Sequence, residues 1–254
     1  MPLAAIRGLS SRAAAWCLMV GCAVGAPSSL VAQVEEPRPP ANVEWWHGAL
    51  FLGGVSTLML LDNAVKHGAQ DLRGSGTDGL ASSVRRFGQP EVYATTAVGL
   101  LTAGMITGNR NLTNSGRRLA TSLALAGGVL TTGKALFGRA RPDDPLHDGD
   151  DFGLLSGRGS LPSGHTAMAF ALATSLSDDI HRPWATVGLY TAATAVGWSR
   201  INDDRHWLSD VAAGAVLGIA SAKFASGRWT IFGLRAPSLI TGPRGMGLGW
   251  QASF

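Results

Sequence analysis

Cysteine is almost missing from this chain of 254 residues, and both copies, Cys17 and Cys22, fall within the first 32. Beyond that segment no thiol is left, which excludes a disulfide framework, thiol catalysis and cysteine metal ligands. Charge is scarce as well. Asp, Glu, Lys and Arg make up 15% of the sequence, against about 25% in ordinary globular chains. The net charge is a mild +4 with no basic run interleaved with aromatics, which excludes a nucleic-acid-binding surface of the usual kind. There is no internal repeat and no coiled-coil heptad, so solenoids and long zippers are excluded too. What is present is apolar and small: 46% of residues are hydrophobic, 34 are glycine, and Gly and Ala dominate over Leu and Ile. Helices of that composition can pack closely, in a bilayer or in a tight bundle.

Residues 1–32 have the layout of an export signal: Arg7 and Arg12, an apolar stretch from Ala13 to Val24, and small residues at Leu30-Val31-Ala32. No acidic residue occurs before Glu35, and removal of the segment lowers the formal charge from +4 to +2. A lipoprotein cut before Cys22 is the alternative; the apolar sequence continuing past Cys22 favours ordinary cleavage near Ala32. Residues 33–44 then read as a Pro-rich tether, residues 45–228 as a helical domain and residues 229–254 as a β-hairpin.

The helical reading rests on six apolar stretches, about Trp45–Leu61, Val92–Gly108, Leu119–Phe137, His165–Leu176, Trp184–Trp198 and Val211–Ala225. Most are apolar on all sides, as buried helices are. Lys66–Gly79, Asn109–Arg118, Pro142–Gly159, Ser177–Pro183 and Ile201–Arg205 read as loops. Strict alternation from Met246 to Phe254 predicts a strand, with Trp229–Ile240 as its partner and a turn at Thr241–Gly245. The apolar runs are shorter than the roughly 20 residues of a full span. The expectation is therefore an envelope protein, membrane-associated or integral, with its site on the periplasmic side.

Three short stretches carry chemistry. Lys134 and Arg141 lie seven apart, about two helical turns, so a continuous helix would point both cations the same way. Pro162-Ser163-Gly164-His165 opens an apolar helix, with Ser163 as N-cap and Gly164 leaving backbone amides open to an anion. Ser199-Arg200 precedes His206 and Asp210, and a four-residue spacing on one helix would let the carboxylate orient the imidazole. Each stretch alone also fits helix capping or a surface ion pair. Together they give three cations, two imidazoles and one carboxylate at the ends of predicted helices, a set suited to a phosphate.

The ordered pattern Lys-x6-Arg-Pro, Pro-Ser-Gly-His, Ser-Arg-x5-His-x3-Asp resembles the signature of the type-2 phosphatidic acid phosphatase and vanadium haloperoxidase superfamily, with every position matched between Lys134 and Asp210. The resemblance reaches roughly from Trp45 to Ala225. It implies an all-α fold with six core helices, in which Lys134, Arg141 and Arg200 hold phosphate oxygens with Ser163 and the Gly164 amide. It further implies that His206, oriented by Asp210, attacks phosphorus to form a phosphohistidine, and that His165 protonates the leaving alkoxide. No metal or cofactor enters that route. The expected activity is hydrolysis of phosphomonoesters, with lipid phosphates such as phosphatidate or isoprenyl phosphate favoured by the apolar surroundings. A soluble acid phosphatase of broad specificity, a haloperoxidase with vanadate in the same cradle, and an anion-binding envelope protein are the alternatives.

Overall fold

The computed structural model describes residues 39–242 and 245–249. The expected signal at 1–32, the tether up to residue 38 and positions 250–254 of the expected terminal strand lie outside them. The described residues are predominantly helical: α1 (Trp45–Asp71), α2 (Ser75–Arg86), α3 (Pro90–Thr107), α4 (Arg110–Phe137), α5 (Gly164–Ile180), α6 (Pro183–Asn202) and α7 (Leu208–Ala225). Short strands flank them: β1 (Ala41–Val43), β2 (Trp229–Ile231), β3 (Ser238–Gly242) and β4 (Gly245–Gly249).

Local chemistry sets the helix ends. Pro90 and Pro183 open α3 and α6, where a missing amide hydrogen costs nothing. Asn109 caps α4 by accepting hydrogen bonds from the amides of Asn111 and Leu112. Gly108 and Gly138 end α3 and α4 in the left-handed region that glycine tolerates.

The six apolar stretches each fall in a long helix, but the expected loops are shorter than the sequence suggested. Most of Lys66–Gly79 is helical: α1 continues to Asp71 and α2 begins at Ser75. Gly, Ser and Asp in Ser75–Gly79 read as loop. They form a helix because Asp78 complements its N-terminus, Arg85 and Arg86 its C-terminus, and its body packs on α6. Likewise α4 takes in most of Asn109–Arg118, and α5 runs to Ile180. The expected strand Trp229–Ile240 is divided. β2 pairs in parallel with β1, and only β3 pairs antiparallel with β4. The end of the expected tether is thus a strand, tied to the end of the bundle by Asn42, whose side-chain oxygen accepts from the Thr230 hydroxyl and the Gly233 amide.

α5 and α7 form the centre. α5 packs on α7, α6 and α4, and α7 also packs on α4 and α1. The α5–α7 crossing is a backbone contact. A Cβ at Gly214 would lie 2.5 Å from the Ser163 carbonyl oxygen, and one at Gly218 would lie 2.2 Å from that of Ala167. Glycines four apart are what permit this approach. The core beside it is built of small residues, with Ala169, Ala173, Ala193 and Val196 around Tyr93.

Large apolar side chains stand on the outside as well. Trp45, Leu60, Ile106 and Trp184 are each at least 74% exposed, and Leu50, Met105, Leu136 and Val187 add to them. Apolar surface of that extent marks a membrane or a partner rather than water. Among the described residues three helices, α1, α4 and α7, are long and apolar enough to cross a membrane by length and composition. At 1.5 Å per residue, α1 and α4 each reach about 40 Å, well beyond the apolar runs read from sequence.

Candidate active site

Site residues gather where the C-terminal end of α4, the N-terminal ends of α5 and α7 and the C-terminal end of α6 meet. His206 lies in the short connection from α6 to α7, its backbone turned by the Arg200 carbonyl, which accepts from the amides of both Arg205 and His206. His206 and Asp210 are therefore not on one helix, as their spacing suggested. Asp210 is in the first turn of α7 and accepts the Trp207 amide hydrogen at 3.0 Å, which starts that helix. Asp203 is the C-cap of α6, and Asp204 follows it in the turn before His206. His206 is 5% exposed, and its Nδ1 lies 3.6 Å from the Asp210 carboxylate, longer than a hydrogen bond but within ion-pair range. That contact turns Nε2 away from Asp210.

Asp210 is fully buried and held from several sides. Arg139 donates to its Oδ1 at 2.9 Å, and Ser160 donates to its Oδ2. Arg139, itself 1% exposed, also donates to Asp62 of α1 (2.8 Å), to Ser209 (2.7 Å) and to the Gly149 carbonyl (2.8 Å). Asp62 in turn accepts from the Ser209 amide and hydroxyl. Two carboxylates share one guanidinium in a site without water-facing surface. Such an arrangement holds only when each charge is paired and each lone pair used.

The second element is the start of α5. Ser163 occupies the N-cap, but its hydroxyl bonds Thr166 Oγ1 (2.9 Å) rather than capping the helix. Its amide donates to the Asp210 carbonyl at 3.0 Å, which fastens this helix start to α7. A Cβ at Gly164 would meet nothing within 4 Å, so the space above the first amides of α5 is open. Helix dipole and free amides favour an anion there. His165 follows, half-buried, with Gly88 of the α2–α3 junction close to its Cδ2.

The cations form the third element. Lys134 is in the last turn of α4 and bonds the Gly159 carbonyl through Nζ. Arg141 is beyond the helix, because α4 stops at Phe137 and Gly138 turns the chain. The two still line one cavity of about 640 Å³, brought together by that turn rather than by helical periodicity. Asp143, two residues past Arg141, lines it too and is paired with Arg205 at 2.7 Å. Arg200 is 7% exposed; its Nη1 donates to Asp203 (3.0 Å), which also accepts from Arg85 of α2 (2.8 Å). The Arg200 Nε is buried without a hydrogen-bond partner among the described residues, a donor that an oxyanion would satisfy.

These charges act on the histidines. Burial, then Arg200, His206, Lys134 and Arg85, push the His165 imidazole down to about 4. Burial also lowers His206, outweighing the opposite pull of Asp210, with Lys134 and Arg141 adding to the lowering. Both rings are neutral at pH 7 in the unliganded protein, so His206 carries a free lone pair.

All eight residues singled out in the sequence thus sit in this region. Four that matter to it were passed over: Arg139, Asp62, Ser160 and Arg85. Asp62 had a readable signal, since a lone carboxylate after an apolar run is a functional candidate in its own right. Arg139 was masked by Arg141, two residues on. Among the described residues no group of three or more His, Cys, Asp or Glu could hold a metal ion.

Residues 115–230 match the model of the PAP2 superfamily, a segment that includes every candidate residue. A lipid A 1-phosphatase of Porphyromonas gingivalis is 45% identical over 102 residues, which is 39% of this chain and 20% of that protein. The match thus spans about a fifth of that curated relative. Among solved structures, LpxE of Aquifex aeolicus superposes with a TM-score of 0.54 at 26% identity, covering 65% of this chain and 94% of that one. A transmembrane PAP2-type phosphatidylglycerolphosphate phosphatase of Bacillus subtilis gives a TM-score of 0.52 at 20% identity, covering 71% and 92%; that likeness concerns the fold alone. The segment from 115 to 230, which holds the eight candidate residues, is thus similar to the PAP2 superfamily.

Proposed function

We propose that the protein is a membrane-associated phosphatase that hydrolyses lipid phosphomonoesters through a phosphohistidine. One observation carries this reading. A buried imidazole backed by a carboxylate, an open helix start and three cations, one with an unsatisfied buried donor, meet at one end of a bundle whose outer faces are apolar. Mere anion binding has no use for the imidazole–carboxylate pair.

Lys134, Arg141 and Arg200 take the non-bridging oxygens, and the α5 amides around Gly164 complete the cradle. His206 Nε2 attacks phosphorus, the P–O ester bond breaks, and a proton from His165 goes to the departing alkoxide oxygen. Water then attacks the phosphohistidine, returns a proton to His165 and releases phosphate. In the empty site His165 is neutral. The arriving phosphate anion offsets the surrounding cations and draws a proton onto the ring. Positioning and fixed charge supply most of the rate in phosphoryl transfer, and the residues named here provide both without a metal.

The apolar exterior favours a lipid ester over the water-soluble one of a broad-specificity acid phosphatase. The test is phosphate release by purified protein from phosphatidate in detergent and from a water-soluble aryl phosphate, with His206→Ala as control and an acid-labile phosphoenzyme trapped by rapid quench. Release by the His206→Ala variant at the wild-type rate would remove the assigned nucleophile. Preference for the soluble ester would shift the substrate class.

A further inference from the structure

We propose that Arg158, a residue absent from the ordered sequence pattern, binds a second anionic group carried on the alcohol side of the substrate. The inference rests on the phosphatase reading and narrows its substrate class. Arg158 lines the same cavity of about 640 Å³ as Lys134 and Arg141, with Gly157 and Gly159 on either side of it. That volume is in the range that holds a whole small molecule, and a single phosphate fills little of it. Arg158 Nη1 is buried and has no hydrogen-bond partner among the described residues. Buried donors are nearly always satisfied, and the cavity is the space from which an acceptor can reach this one.

The loop that carries Arg158 is held in place. The amides of Gly153, Leu155 and Ser160 donate to the carbonyls of Phe137, Ala135 and Arg139, which fastens the loop along the end of α4. Ser156 Oγ donates to the Gly138 carbonyl and accepts from both the amide and the Nε of Arg158, each at 3.3 Å. Nε is thus spent on the loop, and Nη1 is left over. The same loop joins the cradle directly: the Gly159 carbonyl accepts from Lys134, and the Ser160 hydroxyl donates to Asp210.

Charge selects the ligand. The two carboxylates that line the cavity have partners of their own. Asp143 pairs with Arg205 at 2.7 Å, and Asp144 accepts from the Leu146 amide at 2.9 Å and lies 3.3 Å from the His147 ring. Among the described residues neither forms an ion pair with Arg158. In the proposed mechanism the scissile phosphate takes Lys134, Arg141 and Arg200. Arg158 is the cation that remains in the cavity, and a second phosphate, phosphonate or carboxylate on the alcohol supplies the matching anion. A neutral alcohol leaves the Nη1 donor unpaired.

The experiment compares butyl phosphate with butane-1,4-diol bisphosphate, two soluble esters of the same carbon chain, at one ionic strength. Per scissile group, the wild type should favour the bisphosphate in kcat/KM by about tenfold to a hundredfold, the worth of a hydrogen bond between charged groups. In Arg158→Gln that preference should fall below about threefold, through KM with kcat kept, as loss of uniform binding does. Arg158→Lys, which keeps the charge and loses the fork, should hold an intermediate preference, and it serves alone if the Gln variant does not fold. A role confined to bracing the loop gives another result: with Gly159 and Ser160 displaced, kcat falls on both esters alike, and that outcome overturns the proposal. So does a wild type that treats the two esters equally, or variants that keep its full preference. If the wild type cleaves neither ester, the phosphatase reading fails by itself. Calorimetric binding of butylphosphonate and butane-1,4-bisphosphonate then decides Arg158 separately: tighter binding of the bisphosphonate that is lost in Arg158→Gln supports the assignment, and equal affinities refute it.

Discussion

The two sides of the candidate site are built on opposite terms. Around Asp210 everything is closed: Arg139, Asp62, Ser160 and Ser209 are each no more than 3% exposed, and their polar groups are spent on one another. Around Arg141 everything is open: the guanidinium is exposed, Lys134 is half-buried, and the cavity they line is large. In the proposed mechanism the closed side fixes the direction of the His206 imidazole, and the open side would receive the phosphate from outside. The contrast teaches that two arginines two positions apart in sequence face opposite conditions: Arg139 is buried among its partners, and Arg141 is exposed at a cavity.

Substitution should expose that division. The largest expected effect is on turnover. His206→Ala should lower kcat by roughly 10³- to 10⁶-fold, as loss of a nucleophile does, in phosphate release with the fold unchanged by circular dichroism. Next, His165→Asn should cost about 10²- to 10⁴-fold with an alkyl leaving group and far less with a nitrophenyl ester, whose oxygen needs no proton. Equal losses on both esters would remove His165 as the acid. Third, Arg139→Met leaves two buried carboxylates facing an apolar chain and should destabilise the protein by about 3–5 kcal/mol, read by denaturant unfolding in detergent. Arg141→Met, on the exposed side, should stay within about 0.5 kcal/mol while raising KM. If the two arginines give equal unfolding free energies, the division is wrong.

The smallest effect is on pH dependence. The folded protein holds His165 near 4, below the 6.5 of a free imidazole, and holds His206 low as well. The unfolded chain therefore binds protons first as pH falls. Stability contributed by the neutral rings is full above about pH 6.5. It is lost on going down through the folded-state values. Unfolding midpoints measured from pH 7.5 to 4.5 should fall on the acid side for the wild type and fall less for His165→Asn.

How much of this was open to sequence reading turned on separation along the chain. The eight candidate residues were legible because they sit in compact strings. Lys134 and Arg141-Pro142, Pro162 to His165 and Arg200 to Asp210 are local patterns at helix ends, and apolar runs between them announced the helices. The partners that hold Asp210 were not legible, because they form pairs far apart in the chain. Asp62 meets Arg139 across 77 positions, and Ser160 meets Asp210 across 50. α2 escaped notice because its glycines and serines favour loops in isolation, and contact with α6 decides otherwise. The pairing of β2 with β1 joins the segments just before and just after the helices, and no local signal specifies it.

The α5–α7 crossing has a consequence for how such a site can change over time. The residue that would donate the proton begins one helix, the carboxylate behind the attacking ring begins the other, and carbonyls and glycines lock the two backbones with no side chain between them. One added methyl at position 214 or 218 would wedge them apart and carry donor and attacker out of line together. Lineages descending from this chain are therefore free to redraw its loops and its lipid-facing surfaces, while the seam between these two helices admits almost no drift.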